Sequence, residues 1–170
     1  MAETNILIYL MRKDLRVADN PMLHHLSSNS DHGFTHLLPV YVFPETQMDL
    51  SGLVDEKYAD QYVTPARSRV GHFARCGPHR AKFIAETIQN LKSSLESLGS
   101  GLVLRAGNHG KVVNDLMEGF EKHDLKVGAV WTTGLVGSEE EEQERSVSSV
   151  CKNQGVDFKI WTDEKYFIDE

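Results

Sequence analysis

The chain has 170 residues, a length that suits one domain able to bury a proper core. Hydrophobic residues make up 40% and charged residues 25%, which excludes disorder over the whole length. Eighteen basic against twenty-five acidic residues give a formal charge of −7; the overall basic excess of a nucleic-acid-binding domain is missing, and only a local basic patch is compatible with this balance.

The N-terminal "MAETNILIYLM" has an acidic start and a short apolar run followed at once by charge, unlike a signal peptide. No stretch approaches the ~20 apolar residues of a membrane span. Ile6–Met11 is a near-continuous apolar run of strand length. Asn20-Pro21 then opens a short helix, with Asn20 as its cap. Leu37–Phe43 is a second strand, interrupted only by Pro39. Residues 44–77 carry scattered charge, Pro44, Gly52, Pro65, Gly71 and Gly77, and no clear period. A structureless loop of that length is unusual, so an ordered excursion or a docking segment is expected.

Residues 79–98 place Ile84, Ile88, Leu91, Leu95 and Leu98 on one helical face, with Pro78 at the start and Gly99 at the stop. Leu102–Leu104 reads as the third strand, and residues 111–122 as a helix with Val113, Leu116, Met117 and Phe120 inward. Val127–Trp131 is the fourth strand. Residues 139–153 form a helix, with Ser138 as N-cap and Glu141 completing a capping box. Val156–Trp161 is the fifth strand. Apolar runs without alternation suggest strands buried on both faces of a parallel sheet. Cys76 and Cys151 are far apart and form neither a disulfide framework nor a zinc site, so both are expected reduced and half-buried.

Strands alternating with helices predict an α/β fold: a Rossmann-like, doubly wound, five-stranded parallel sheet of order 3-2-1-4-5, with helices on both faces. One domain, 1–170, is expected. A ligand would sit at the carboxyl ends of the strands, where the order reverses between the first and fourth. The loops there are Arg12–Pro21 and Thr132–Ser138. Backbone N–H groups near Ser138 would favour an anion.

No G-x-G-x-x-G follows the first strand. "GNHGK" at Gly107–Lys111 lacks the spacing and the Ser/Thr of a phosphate loop. Acidic residues Glu139–Glu142 suit a helix start better than a metal. Without a further clue, Asp14, Arg16, Asp19 and Asn20 serve first to knit their loop together, and direct ligand contact is the second reading.

The segment "YLMRKDLRVADNPML" resembles the opening motif of the photolyase/cryptochrome family, through Arg12, Asp14, Leu15, Arg16, Asp19 and Asn20. Cys76–Gly107, "CGPHRAKFIAETIQNLKSSLESLGSGLVLRAG", is similar to the DASH-type cryptochromes, as is "FKIWTDEKYF" near the end. The resemblance implies the N-terminal antenna domain of a blue-light flavoprotein. It would hold a light-harvesting folate, methenyltetrahydrofolate, against a larger helical domain that binds FAD. That helical domain is the implied partner, and its flavin performs DNA repair or light sensing. The resemblance also implies that this chain lacks the helical domain. It is then no enzyme alone, binds no FAD, and makes no direct contact with nucleic acid or membrane. An intracellular, soluble setting is expected.

The cofactor-site residues so nominated are Arg12, Asp14, Arg16, Asp19, Asn20, Thr133, Gly134, Leu135, Ser138 and Glu139, with no catalytic or metal-binding residue. One departure stands out. DASH-type members carry an acid in the loop after the fourth strand, where Gly134 and Leu135 stand here; leucine has no hydrogen-bonding group for a pterin. The alternatives are an interaction module that docks on a flavin-binding helical domain, and a small nucleotide-binding α/β domain.

Overall fold

The computed structural model describes residues 4–50, 57 and 63–162. Five strands form one parallel sheet of order β3-β2-β1-β4-β5: β1 Asn5–Met11, β2 His36–Pro44, β3 Val103–Gly107, β4 Lys126–Thr133 and β5 Asp157–Trp161. Four helices connect them: α1 Pro21–Ser28, α2 Pro78–Ser97, α3 His109–Glu121 and α4 Ser138–Gln154. The doubly wound fold expected from the strand and helix alternation is therefore the one observed.

Successive residues of β1 point to opposite faces, and both faces are covered. Ile6, Ile8 and Leu10 join Val113 and Met117 of α3 and Val147 of α4 in one cluster. Leu7, Tyr9 and Met11 join Met22 of α1 and Ile88, Leu91 and Leu95 of α2 in the other. Burying each such aliphatic side chain stabilises the fold by ~1.5–3 kcal/mol. This double cover explains the unbroken apolar run at β1. The edge strands depart from that pattern. In β3, Leu104 and Arg105 are exposed, and in β5 so are Asp157, Lys159 and Ile160. An edge strand packs against fewer neighbours, so a continuous apolar run was not required there. Pro39 pairs with Tyr9 on β1 and lies one residue before the β2–β3 ladder begins at Val40 and Val103.

The caps refine the helix ends. Asn20 caps α1, its Oδ1 accepting from Met22 N and Leu23 N at 3.1 Å each. Ser138, expected to cap α4, is instead its first helical residue, and no side chain caps this helix. The cap is Gly137, at φ 153°, where a Cβ would collide with the Glu140 carboxylate. The Ser138–Glu141 capping box does not form, because Gly137 makes the turn and its carbonyl accepts from Glu141 N at 2.9 Å. Cys151 is fully buried rather than half-buried, and burial pushes its thiol up to about 11. Cys76 is half-buried, and both thiols are free.

The segment 44–77 is ordered where it is described. A turn follows β2, with Gln47 N and Met48 N donating to Pro44 O. Farther on, Arg67 and Ala74 form an antiparallel bridge. Residues 51–56 and 58–62 of this segment, and 163–167 of the C-terminal motif, lie outside the described residues.

Candidate functional site

The carboxyl ends of β1, β2 and β4 converge on a cavity of about 480 Å³. Its position follows from topology: strand order reverses beside β1, so the loops after β1 and β4 diverge to opposite sides and leave a crevice. From the loop after β1 it takes Arg12, Lys13 and Leu15; from β2, Tyr41 and Pro44. The β4–α4 segment contributes Leu135, Glu140 and Gln143.

Arg12 is the organising residue. It is buried, with Nη2 donating to Thr133 O at 2.5 Å and Nη1 to Glu140 O at 3.2 Å, and it is ion-paired to Glu144. Glu144 also accepts from Leu135 N at 3.2 Å. One guanidinium thus clamps the end of β4 and the first turns of α4 to β1. Its planar fork suits this task, which a lysine could not perform as well. Gly134 N donates to Trp161 O at 2.8 Å, tying the same loop to the end of β5.

The other polar residues of the first loop knit the loop itself, the first of the two readings drawn from the sequence. Asp14 is buried, with Arg16 Nε 2.8 Å from its Oδ1. The Arg16 guanidinium also reaches exposed Asp19, at 3.6 Å. Asn20 Nδ2 donates to the Tyr9 hydroxyl at 2.6 Å and to Arg16 O at 3.2 Å. Burial pushes the Tyr9 phenol up, so it stays neutral. Asp14, Arg16, Asp19 and Asn20 do not line the cavity.

Of the ten residues nominated from sequence, Arg12 and Leu135 line this cavity. Thr133 holds Arg12 through its carbonyl, and Gly134 positions the loop. Ser138 is exposed at the start of α4. Glu139 does not line the cavity and pairs with Arg75 at 3.1 Å.

Three groups of lining residues were not anticipated. The first is on α2: Arg80, Phe83, Ile84 and Thr87. Their i, i+3, i+4, i+7 spacing puts all four on one face, but only Phe83 and Ile84 continue the apolar stripe of that helix, and Arg80 and Thr87 interrupt it. The second is His109, the first residue of α3. It is buried, and its imidazole is lowered to about 4, first by burial and then by the Arg12 charge. The third is Glu140, whose carboxyl is held below its ordinary range chiefly by a hydrogen bond from Lys13. The cavity thus pairs an apolar and aromatic wall with an ionised carboxylate, a neutral imidazole and the Arg80 cation. Such a site can hold a flat, partly polar molecule. Among the described residues there is no cluster suited to a metal, and no helix long and apolar enough to cross a membrane.

Comparison with known proteins agrees with this architecture. The DNA photolyase family model matches residues 7–167. A Neurospora crassa protein named as a mitochondrial cryptochrome DASH is 52% identical over 169 residues, covering 99% of this chain and 23% of its own length. A cryptochrome DASH relative from Gibberella zeae is 46% identical over 170 residues, covering 24% of its length. The chain therefore spans about a quarter of the length of these relatives. Among solved structures, a Synechocystis cryptochrome superimposes with a TM-score of 0.72 at 22% identity, over 94% of this chain and 28% of its own. An archaeal photolyase from Sulfolobus tokodaii, described with two FAD molecules and a novel light-harvesting cofactor, gives 0.62 at 21% identity, over 93% and 29%. The chain belongs to the DNA photolyase family, as an N-terminal α/β domain of the cryptochrome DASH kind.

Proposed function

We propose that this domain is the antenna of a cryptochrome-DASH-type flavoprotein and holds its chromophore in the cavity at the strand ends. The observation that carries the reading is the cavity itself. Its volume of about 480 Å³ lies within the usual range for small-molecule sites. Leu15, Phe83, Ile84 and Leu135 offer the surface a flat ring needs, and Arg80 offers a cation for an anionic tail. Methenyltetrahydrofolate, a pterin with a glutamate end, suits this donor set. When bound, such a chromophore absorbs near-ultraviolet light and passes excitation to a flavin.

The acid missing at Gly134 and Leu135 has a substitute in the first turn of α4. Glu140 lines the cavity together with Leu135 and is kept ionised by Lys13. A carboxylate is therefore available to accept a hydrogen bond from a pterin amine. Arg12 has a positioning role, since it fixes the backbone from which both Leu135 and Glu140 project.

The relatives' greater length supports an FAD-binding helical domain in cis as the partner. Phe83, 69% exposed at the cavity wall, and Val136, fully exposed beside Leu135, are apolar groups that such a partner would cover. Flavin chemistry and any lyase activity belong to that domain, and the antenna domain alone catalyses nothing. The test is direct. The purified chain is mixed with methenyltetrahydrofolate, desalted, and scanned in the near ultraviolet. About one retained equivalent is expected; loss of all chromophore on desalting would refute autonomous binding.

A further inference from the structure

The chain holds two tryptophans, Trp131 and Trp161, and they stand together. Trp131 lies near the end of β4 and Trp161 ends β5; the parallel register pairs Trp131 with Lys159 and Thr133 with Trp161. Residues two apart on a strand share a face, so both rings lie on the α1 side of the sheet. Their centroids are 5.2 Å apart, with the planes inclined at 58°. His25 of α1 tilts against both rings, and Phe34 stands edge-on to Trp131 at 5.4 Å. The Lys159 ammonium sits 3.7 Å from the Trp161 ring centroid.

Packing alone does not explain an indole at both positions. Both indole N–H groups are buried, and neither has a hydrogen-bond partner among the described residues. A buried donor without a partner is costly, and phenylalanine would fill much of the same space without one. What phenylalanine lacks is the strong ultraviolet absorption of indole. The pair is also joined to the cavity. Trp131 and Tyr41 belong to one hydrophobic cluster, with Leu15 and Ile84 packed against it, and Tyr41, Leu15 and Ile84 line the cavity. Counted from Tyr41 on β2, Trp131 lies two strands away and Trp161 three, roughly 10 and 14 Å at ~4.8 Å per strand. The bond from Gly134 N to Trp161 O adds a second link, since the next residue, Leu135, is in the cavity wall.

We propose that Trp131 and Trp161 form a second, shorter-wavelength antenna that passes excitation to the chromophore in the cavity, a role that rests on the antenna reading of that cavity. Indole emits in the near ultraviolet, where methenyltetrahydrofolate absorbs, so the transfer runs downhill in energy. Dipolar coupling between chromophores whose emission and absorption overlap acts across such a separation without contact. The closeness of the two rings lets either indole hand its excitation to the other, and their inclination presents the acceptor with two donor orientations. His25 and Lys159 flank the rings and are the groups that would quench them, so transfer to the cavity competes with both. The pair adds absorption at shorter wavelengths than the near-ultraviolet maximum of the folate.

The test uses the whole chain loaded with methenyltetrahydrofolate and desalted, with occupancy read from near-ultraviolet absorbance. Excitation at the red edge of the indole band selects the tryptophans. Their emission lifetime should be severalfold shorter in the loaded chain than in the empty one. The excitation spectrum of the folate emission should carry an added indole component. Trp161→Phe should reduce that component at unchanged folate occupancy, and Trp131→Phe combined with Trp161→Phe should abolish it. The lifetime in the unaltered chain decides the matter even where the double variant does not fold. A loaded chain with an unchanged indole lifetime and no indole component would overturn the role of the pair and leave the cavity assignment standing. A component undiminished in the folded double variant would overturn it as well. Loss of all folate on desalting would instead defeat the antenna reading, and the role of the pair with it.

Discussion

His109 is the most informative titrating group in the domain. It is 3% exposed, begins α3, and lies near the Arg12 guanidinium at the cavity wall. Burial, that charge and the positive end of the helix dipole all oppose an imidazolium there. Its pKa falls from 6.5 to about 4. The unfolded chain therefore binds this proton more readily than the native one. Stability is full above pH 6.5 and declines as pH falls toward 4. Between pH 7 and pH 5 the loss from this one group amounts to about 2 kcal/mol, at ~1.4 kcal/mol per pH unit of the gap. Glu140 does not confuse this window, because its carboxyl sits below 4.5 and its contribution is lost only at lower pH. The assay is urea unfolding at pH 7 and pH 5 for the wild-type chain and His109→Gln. The wild type should lose about 2 kcal/mol more than the variant. Equal losses would refute the picture of a neutral, desolvated imidazole at the cavity wall.

Arg12→Met should destabilise the fold by about 3 kcal/mol, because it leaves the largely buried Glu144 carboxylate uncompensated. Melting would then fall by roughly 6–12 °C, measured by circular dichroism, and Glu144→Gln in the same chain should recover part of it. Asn20→Ala should cost about 1–2 kcal/mol by removing the α1 cap and the Tyr9 partner together. Asn20→Asp, which keeps the cap but not the donated bond to Tyr9, should cost less in the same denaturation assay. Glu140→Gln should weaken retention of methenyltetrahydrofolate at least severalfold while leaving the secondary-structure spectrum unchanged, if Glu140 is the carboxylate the pterin meets.

The fold was legible because its central strands are buried on both faces and read as plain apolar runs. Ile6–Met11 and the stripe Ile84, Ile88, Leu91, Leu95 needed no further information to be placed. The α4 cap was misread because Ser138 and Glu141 satisfy the capping-box pattern, while the backbone turn is made one residue earlier by Gly137. Half of the site was legible as well. The loops after β1 and β4 do meet, and Arg12 is their link. The α2 wall was not, since Arg80 and Thr87 interrupt the apolar pattern that marks a buried face, and only a neighbouring cavity gives polar residues a place there. His109 and Glu140 escaped for a related reason: one belongs to a junction resembling a weak phosphate loop, the other to a run of four glutamates. Only tertiary packing distinguishes Glu140, next to Lys13, from Glu139, next to Arg75.

The cavity at the strand ends is the proposed antenna site, and blocking it tests that assignment directly. Ile84→Trp would fill it from α2 without touching the Arg12 clamp. The measurement is near-ultraviolet absorbance of retained methenyltetrahydrofolate after desalting, for the wild-type chain and for Ile84→Trp, with circular dichroism to confirm an intact fold. About one equivalent is expected on the wild type and close to none on the folded variant. Equal retention by both would place the chromophore elsewhere and contradict the assignment.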